Sequence, residues 1–291
     1  MSPATDPTGQ PARADWTIDQ GWENYSTAEH ATWKTLFERQ TKLLPGRACD
    51  EFVQGMRDLP IGPDQIPDFR RLSDVLMQRT GWQVVAVPGL VPDAVFFEHL
   101  AHRRFPAGQF IRKPHELDYL EEPDVFHDVF GHVPMLMNPV IADYIQAYGE
   151  GGLRAQGLGK LAHLARVYWY TVEFGLLQQA DGLRIYGAGI ASSYAESVFA
   201  LDDPSPNRVR FDLERVLRTH YRIDDFQETY FVIRGLDELL DLAHIDFGPI
   251  YEQALGKPEF APGHVLETDA FIHRGTGAYH RARRQGAEHG Q

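Results

Sequence analysis

The chain has 291 residues, of which 43% are hydrophobic, 12% aromatic and 24% charged, enough apolar material for a substantial core and a composition that excludes wholesale disorder. A formal net charge of -13 excludes a general affinity for nucleic acid or anionic membranes, both of which call for a basic surface. No apolar run reaches membrane-spanning length, and Cys49 as the single cysteine excludes an intrachain disulfide and a thiolate metal cluster.

The opening MSPATDPTGQ lacks a basic segment followed by an apolar one, so a secretory signal is not expected and a cytoplasmic location is. Residues 1–15, rich in Pro, Thr, Ala and Asp without a hydrophobic period, read as a disordered tail. The fold is expected to start near Trp16 or Trp22. A helix is predicted over 27–44, with Ser26 as cap, Trp33, Leu36, Phe37 and Leu43 as its apolar residues, and Pro45-Gly46 as its stop. Further helices are predicted over 50–59 and 69–80, then a strand or buried loop over 84–87 before Pro88-Gly89. A helix over 92–103 precedes a strand-and-loop segment over 104–119 that should line a pocket. Helices follow over 124–130, 139–149, 158–179, 195–201, 211–218 and 236–243, with strands over 183–186 and 229–233. The last seventeen residues, GTGAYHRARRQGAEHGQ, lack an apolar period and read as a mobile tail. The chain is therefore expected to be mostly α with minor β, a single domain over 16–274.

The stretch EEPDVFHDVFGHVPML, 121–136, carries His127 and His132 among large apolar residues. On an α-helix a step of five residues would set the two rings about 140° apart, too far to share an ion. A helix ending at Gly131, with Pro134 discouraging continuation, removes that objection. Either histidine alone is more simply an ordinary buried or exposed residue; together they ask for a third ligand. Glu173, the only charge in VYWYTVEFGLL, is the best candidate, because an ionised carboxylate among Trp169, Tyr170, Val172, Phe174 and Leu176 needs a cationic partner. Two imidazoles and one carboxylate form a facial triad suited to non-haem Fe(II) and oxygen chemistry.

HDVFGHVP, VYWYTVEFGL and YGAGIASSYAE closely resemble the three signature segments of the pterin-dependent aromatic amino acid hydroxylases. The resemblance covers about Trp22 to Asp246 and is strongest from Gln109 to Glu196. It implies one catalytic domain in which His127, His132 and Glu173 hold Fe(II). It also implies that Arg112 and Ser192 receive the substrate carboxylate, that Trp169, Phe174 and Pro123 pack on the substrate ring, and that Glu196 orients ligands from behind. Val91, Phe96 and Asp128 would contact a tetrahydropterin, Phe96 by stacking and Asp128 through water; many members of the family have Glu where this chain has Asp128. There is no room for the sensory domain or oligomerising helix of regulated members, so a monomer is expected. The implied reaction uses O2 and tetrahydropterin to hydroxylate an aromatic amino acid. Phenylalanine, giving tyrosine, is the expected substrate, partly because 246–251 (DFGPIY) offers no acidic group aligned for a phenol. Tyrosine or tryptophan is the alternative within the family. A zinc hydrolase with Asp128 or Glu196 as base and a non-enzymatic helical binding protein are the alternatives outside it.

Overall fold

The computed structural model describes residues 11–118, 122–157, 159, 161–245, 249–250 and 256–289. Apart from Pro249 and Ile250, the stretch 246–251 invoked for substrate choice lies outside the described residues, as do residues 1–10 of the expected N-terminal tail. The rest of that tail is packed: Arg13 N–H donates to the Thr17 carbonyl at 2.9 Å, and Asp15 lies 3.3 Å from Arg104.

Helix α1 (Thr27–Leu43) starts where the sequence places it, because Ser26 and Glu29 close a reciprocal capping box. It buries Trp33, whose ring meets Phe126 edge-on at 5.3 Å. Helices α2 (Asp50–Asp58) and α3 (Phe69–Arg79) follow. Next come β1 (Gln83–Val87), α4 (Asp93–Ala101) and β2 (Arg104–Gly108), in which the two strands pair in parallel from Gln83↔Arg104 to Val87↔Gly108. This unit delivers Gly108 to the site.

Helix α5 (Pro139–Gly157) runs well past Gly149, where the sequence suggested an end. Its glycines serve close approach: a Cβ at Gly152 would fall 2.1 Å from the Phe97 ring on α4. Helix α6 (Leu161–Tyr168) continues as a wider π-helical turn, Trp169–Glu173, and stops there. The continuous helix expected through Gln179 is therefore wrong at its end. Leu176–Gln179 form strand β3, paired with β4 (Gly182–Ile185) and with β6 (Thr229–Ile233). Burial between two strands overrides the local helical period.

The remaining elements are α7 (Ala188–Ala191), α8 (Tyr194–Asp202), β5 (Asn207–Arg210), α9 (Leu213–Leu217), α10 (Asp237–Ala243), β7 (Phe271–His273) and α11 (Ala278–His289). The larger sheet has the order β4-β3-β6-β5-β7, and every residue of its middle strand β6 is buried. Helix α11 replaces the tail read from the sequence. Its Tyr279 packs on Phe226 and Phe199, and His280, 3% exposed, reaches the Phe226 carbonyl at 2.8 Å. Two adjacent anchoring residues leave no period to detect.

Candidate metal centre and substrate pocket

His127 and His132 lie on one continuous helical segment, and Gly131 does not break it. Phe126–His132 is a π-helical turn leading into a 3-10 turn, Val133–Met137. In a π-helix residue i bonds to i+5, so positions five apart stack on one face. That geometry resolves the angular conflict an α-helix would impose. Gly131 is needed for space: a Cβ there would lie 2.8 Å from the Ala188 carbonyl oxygen. The second π-helical turn ends on Glu173, so both metal-facing segments depart from α geometry.

Nε2 of His127 and Nε2 of His132 are 3.3 Å apart. Glu173 Oε2 lies 3.6 Å from the first, and Oε1 lies 3.1 Å from the second. Ligands about 2.1 Å from an ion would be separated by about 3.0 Å in an octahedral set or about 3.4 Å in a tetrahedral one, so the three donors fit either. They form the one such group among the described residues. Burial pushes the His127 imidazole down to about 4, against the opposing charge of Glu173, so it is neutral and ready to ligate. Burial also opposes ionisation of Glu173, but His132 beside it and the Gly189 N–H hold its carboxyl below the usual range.

Around this centre Ser192 Oγ lies 3.0 Å from His127 Nδ1 and donates to the Ala188 carbonyl at 2.8 Å. Arg112 is 8% exposed and already paired bidentately with Asp124: Nε to Oδ2 and one terminal nitrogen to Oδ1, each at 2.8 Å. Asp124 Oδ1 also accepts the His127 backbone N–H at 3.0 Å. These contacts hold Asp124 below the usual carboxylate range, burial notwithstanding. Arg112 is thus a braced group rather than a free one, its remaining terminal nitrogen 3.4 Å from the Leu117 carbonyl. Pro123 is half-buried immediately before Asp124.

Trp169 and Phe174 pack against each other at 5.0 Å beside Glu173. Phe96 meets Tyr168 edge-on at 5.8 Å, and Tyr168 in turn lies parallel to His132 at 6.3 Å. Val91 is half-buried in the turn before α4. Asp128 is buried and accepts the Gly108 N–H at 2.7 Å; burial raises its carboxyl to about 7. Glu196 touches no metal-facing group. It accepts from the Tyr230 hydroxyl and from the Gln227 backbone N–H, and burial raises it to about 7. Both carboxylates that a zinc hydrolase would recruit as base thus accept hydrogen bonds from the fold through one oxygen each.

Sequence reasoning missed three residues at the site, Tyr168, Tyr221 and Gln227; Phe105, whose ring lies 4.9 Å from that of His132, falls in the segment 104–119 expected to line a pocket. Tyr168 adjoins the glutamate segment and could have been found there. The other two come from a distant loop with no local signal.

The model of the family described as biopterin-dependent aromatic amino acid hydroxylase matches residues 21–244. The chain belongs to this family. Among its relatives in the hydroxylase family, phenylalanine-4-hydroxylase of Caulobacter vibrioides is 66% identical over 92% of this chain and 91% of its own length. The enzyme of the same name from Ralstonia nicotianae is 59% identical over 92% and 86%. The solved structure of cobalt-bound phenylalanine hydroxylase from Chromobacterium violaceum superposes with a TM-score of 0.89 at 56% identity, covering 91% of this chain and 96% of that one. The iron- and phenylalanine-bound structure of that hydroxylase gives 0.87 at 54% identity, covering 91% and 97%.

Proposed function

We propose that the chain hydroxylates L-phenylalanine to L-tyrosine, using O2 and a tetrahydropterin at Fe(II) held by His127, His132 and Glu173. The observation that carries this reading is the convergence of those three side chains in a member of a family whose relatives at 57–66% identity are named phenylalanine-4-hydroxylases. Bound iron, with O2 and the two electrons of the pterin, supplies the oxidising chemistry for the aromatic ring.

The chain's own residues bind, orient and exclude water. His127 presents Nε2 because Ser192 occupies Nδ1. Asp124 holds the Arg112 guanidinium in place, so that its remaining terminal nitrogen faces the substrate carboxylate, with Ser192 alongside. Trp169, Phe174 and Pro123 bound the ring of the substrate, and their apolar surface keeps water from it. On the other side, Val91 and Phe96 offer the apolar contact a pterin ring needs, and Asp128, one methylene shorter than glutamate, reaches it through water. Glu196 braces the segment behind the serine.

A cytoplasmic monomer accompanies this reading. Burial pushes the Cys49 thiol up to about 12, which makes it inert, and among the described residues no helix is long and apolar enough to cross a membrane. Initial rates on phenylalanine, tyrosine and tryptophan test the substrate assignment: phenylalanine is expected to have the highest kcat/KM, and a clear preference for either other amino acid would refute it.

A further inference from the structure

The indole of Trp169 is held by a side chain with no signal in the sequence. Gln227 is 1% exposed. Its Oε1 accepts from Trp169 Nε1 at 3.1 Å and from Arg222 N–H at 3.2 Å, and its Nε2 donates to the Arg222 carbonyl at 2.8 Å. Its backbone N–H donates to Glu196 Oε1 at 3.3 Å. The carboxamide is therefore fixed from both ends before it meets the indole. The same loop supplies Tyr221, stacked on the indole at 4.2 Å and 16°. One loop thus holds Trp169 by its face and by its N–H, while Phe174, next to Glu173, packs against the same ring system.

We infer that Gln227 is a positioning residue for the aromatic substrate: it fixes the plane of Trp169 and so the pose of the substrate ring. This rests on the reading of Trp169 as a wall of the substrate pocket. Stacking alone leaves a ring free to slide and tilt, because its energy changes slowly with offset. A hydrogen bond to Nε1 adds direction. The N–H of this half-buried indole meets an acceptor that is itself 1% exposed, and a donor left without a partner there is costly. The consequence falls on substrate pose, not on the metal, because Gln227 touches none of the three ligand side chains.

The test compares Gln227→Leu, Trp169→Phe and the double variant with the parent, each checked for folding by thermal melting. Loss of the bond is expected to raise the KM for phenylalanine about fivefold to tenfold and to lower the tyrosine formed per pterin oxidised, with iron content unchanged. Trp169→Phe has no N–H, so adding Gln227→Leu to it is expected to change KM no further. If Gln227→Leu does not fold, Gln227→Asn, which keeps the amide but shortens its reach, is expected to move KM and coupling in the same direction. A folded Gln227 variant with unchanged KM and coupling, or effects that multiply in the double variant, would overturn the inference. Fluorine NMR of 5-fluorotryptophan-labelled protein separates this failure from failure of the substrate reading. A parent that does not hydroxylate phenylalanine sinks that reading, whereas the resonance lost in Trp169→Phe is still expected to shift in Gln227→Leu, and a resonance that stays put counts against the positioning role.

Discussion

Ser192 Oγ sits 3.0 Å from His127 Nδ1 while its hydroxyl hydrogen is committed to the Ala188 carbonyl at 2.8 Å. The oxygen can then only accept from the imidazole, which fixes the proton on Nδ1 and leaves the Nε2 lone pair for a metal. The serine thereby acts on the ligand itself, in addition to any contact with substrate. Ser192→Ala is expected to weaken Fe(II) binding about tenfold or more, measured by competition with a chelator; an unchanged affinity would rule out this role.

The Arg112–Asp124 pair is buried at both ends, with side-chain exposures of 8% and 0%. Removing one partner of such a pair strands a buried charge, at a cost of about 3–5 kcal/mol. Asp124→Ala also takes away the acceptor of the His127 backbone N–H. Urea unfolding of this variant is expected to show a stability loss of that size; a loss below about 1 kcal/mol would mean that the pair is far better solvated than its burial indicates.

Glu196 provides a pH signature. Burial raises its carboxyl from 4.5 to about 7, with Tyr230 and Gln227 opposing. The folded state then keeps a proton that the unfolded chain releases, so the contribution is present below the unfolded value and is lost as pH rises through about 7. Glu196→Gln mimics the protonated form and retains an acceptor for both donors. Its stability relative to the parent is expected to be near zero at about pH 4 and to grow in its favour to about 3 kcal/mol by about pH 8. Parallel stability profiles for the two proteins would show that Glu196 ionises normally in the fold.

Two glycines distinguish space near the metal from space far from it. A Cβ at Gly131 meets Ala188, whose carbonyl holds Ser192, and a Cβ at Gly152 meets Phe97 between α4 and α5. Both alanine variants are expected to lose about 1–3 kcal/mol in thermal unfolding. Only Gly131→Ala is expected also to weaken iron binding. Equal iron affinity in the two variants would contradict the proposed link between Gly131, Ala188 and Ser192.

The elements with local signals were legible in the sequence. Ser26 announced α1, and β6 was read with its observed limits. The metal-ligand candidates were legible because charged or polar residues on apolar ground stand out. What was not legible was the device that brings them together. A π-helical turn has no composition of its own, so His127 and His132 were reconciled through a break at Gly131 that the fold does not make. The β3 strand was hidden by the apolar run that follows Glu173, and α11 because its ring anchors, Tyr279 and His280, are adjacent and leave no period. Gln227 and Tyr221 reach the pocket from a loop more than fifty residues past Trp169. A contact of that separation has no local trace in a single sequence.

The measurement closest to the central claim is aerobic turnover of L-phenylalanine with Fe(II) and tetrahydropterin, following tyrosine by chromatography and omitting each component in turn. The parent is expected to form tyrosine only when iron and pterin are both supplied, and Glu173→Ala is expected to form none. Tyrosine formation by Glu173→Ala at near the parent rate, or no pterin oxidation by the iron-loaded parent, would contradict the account.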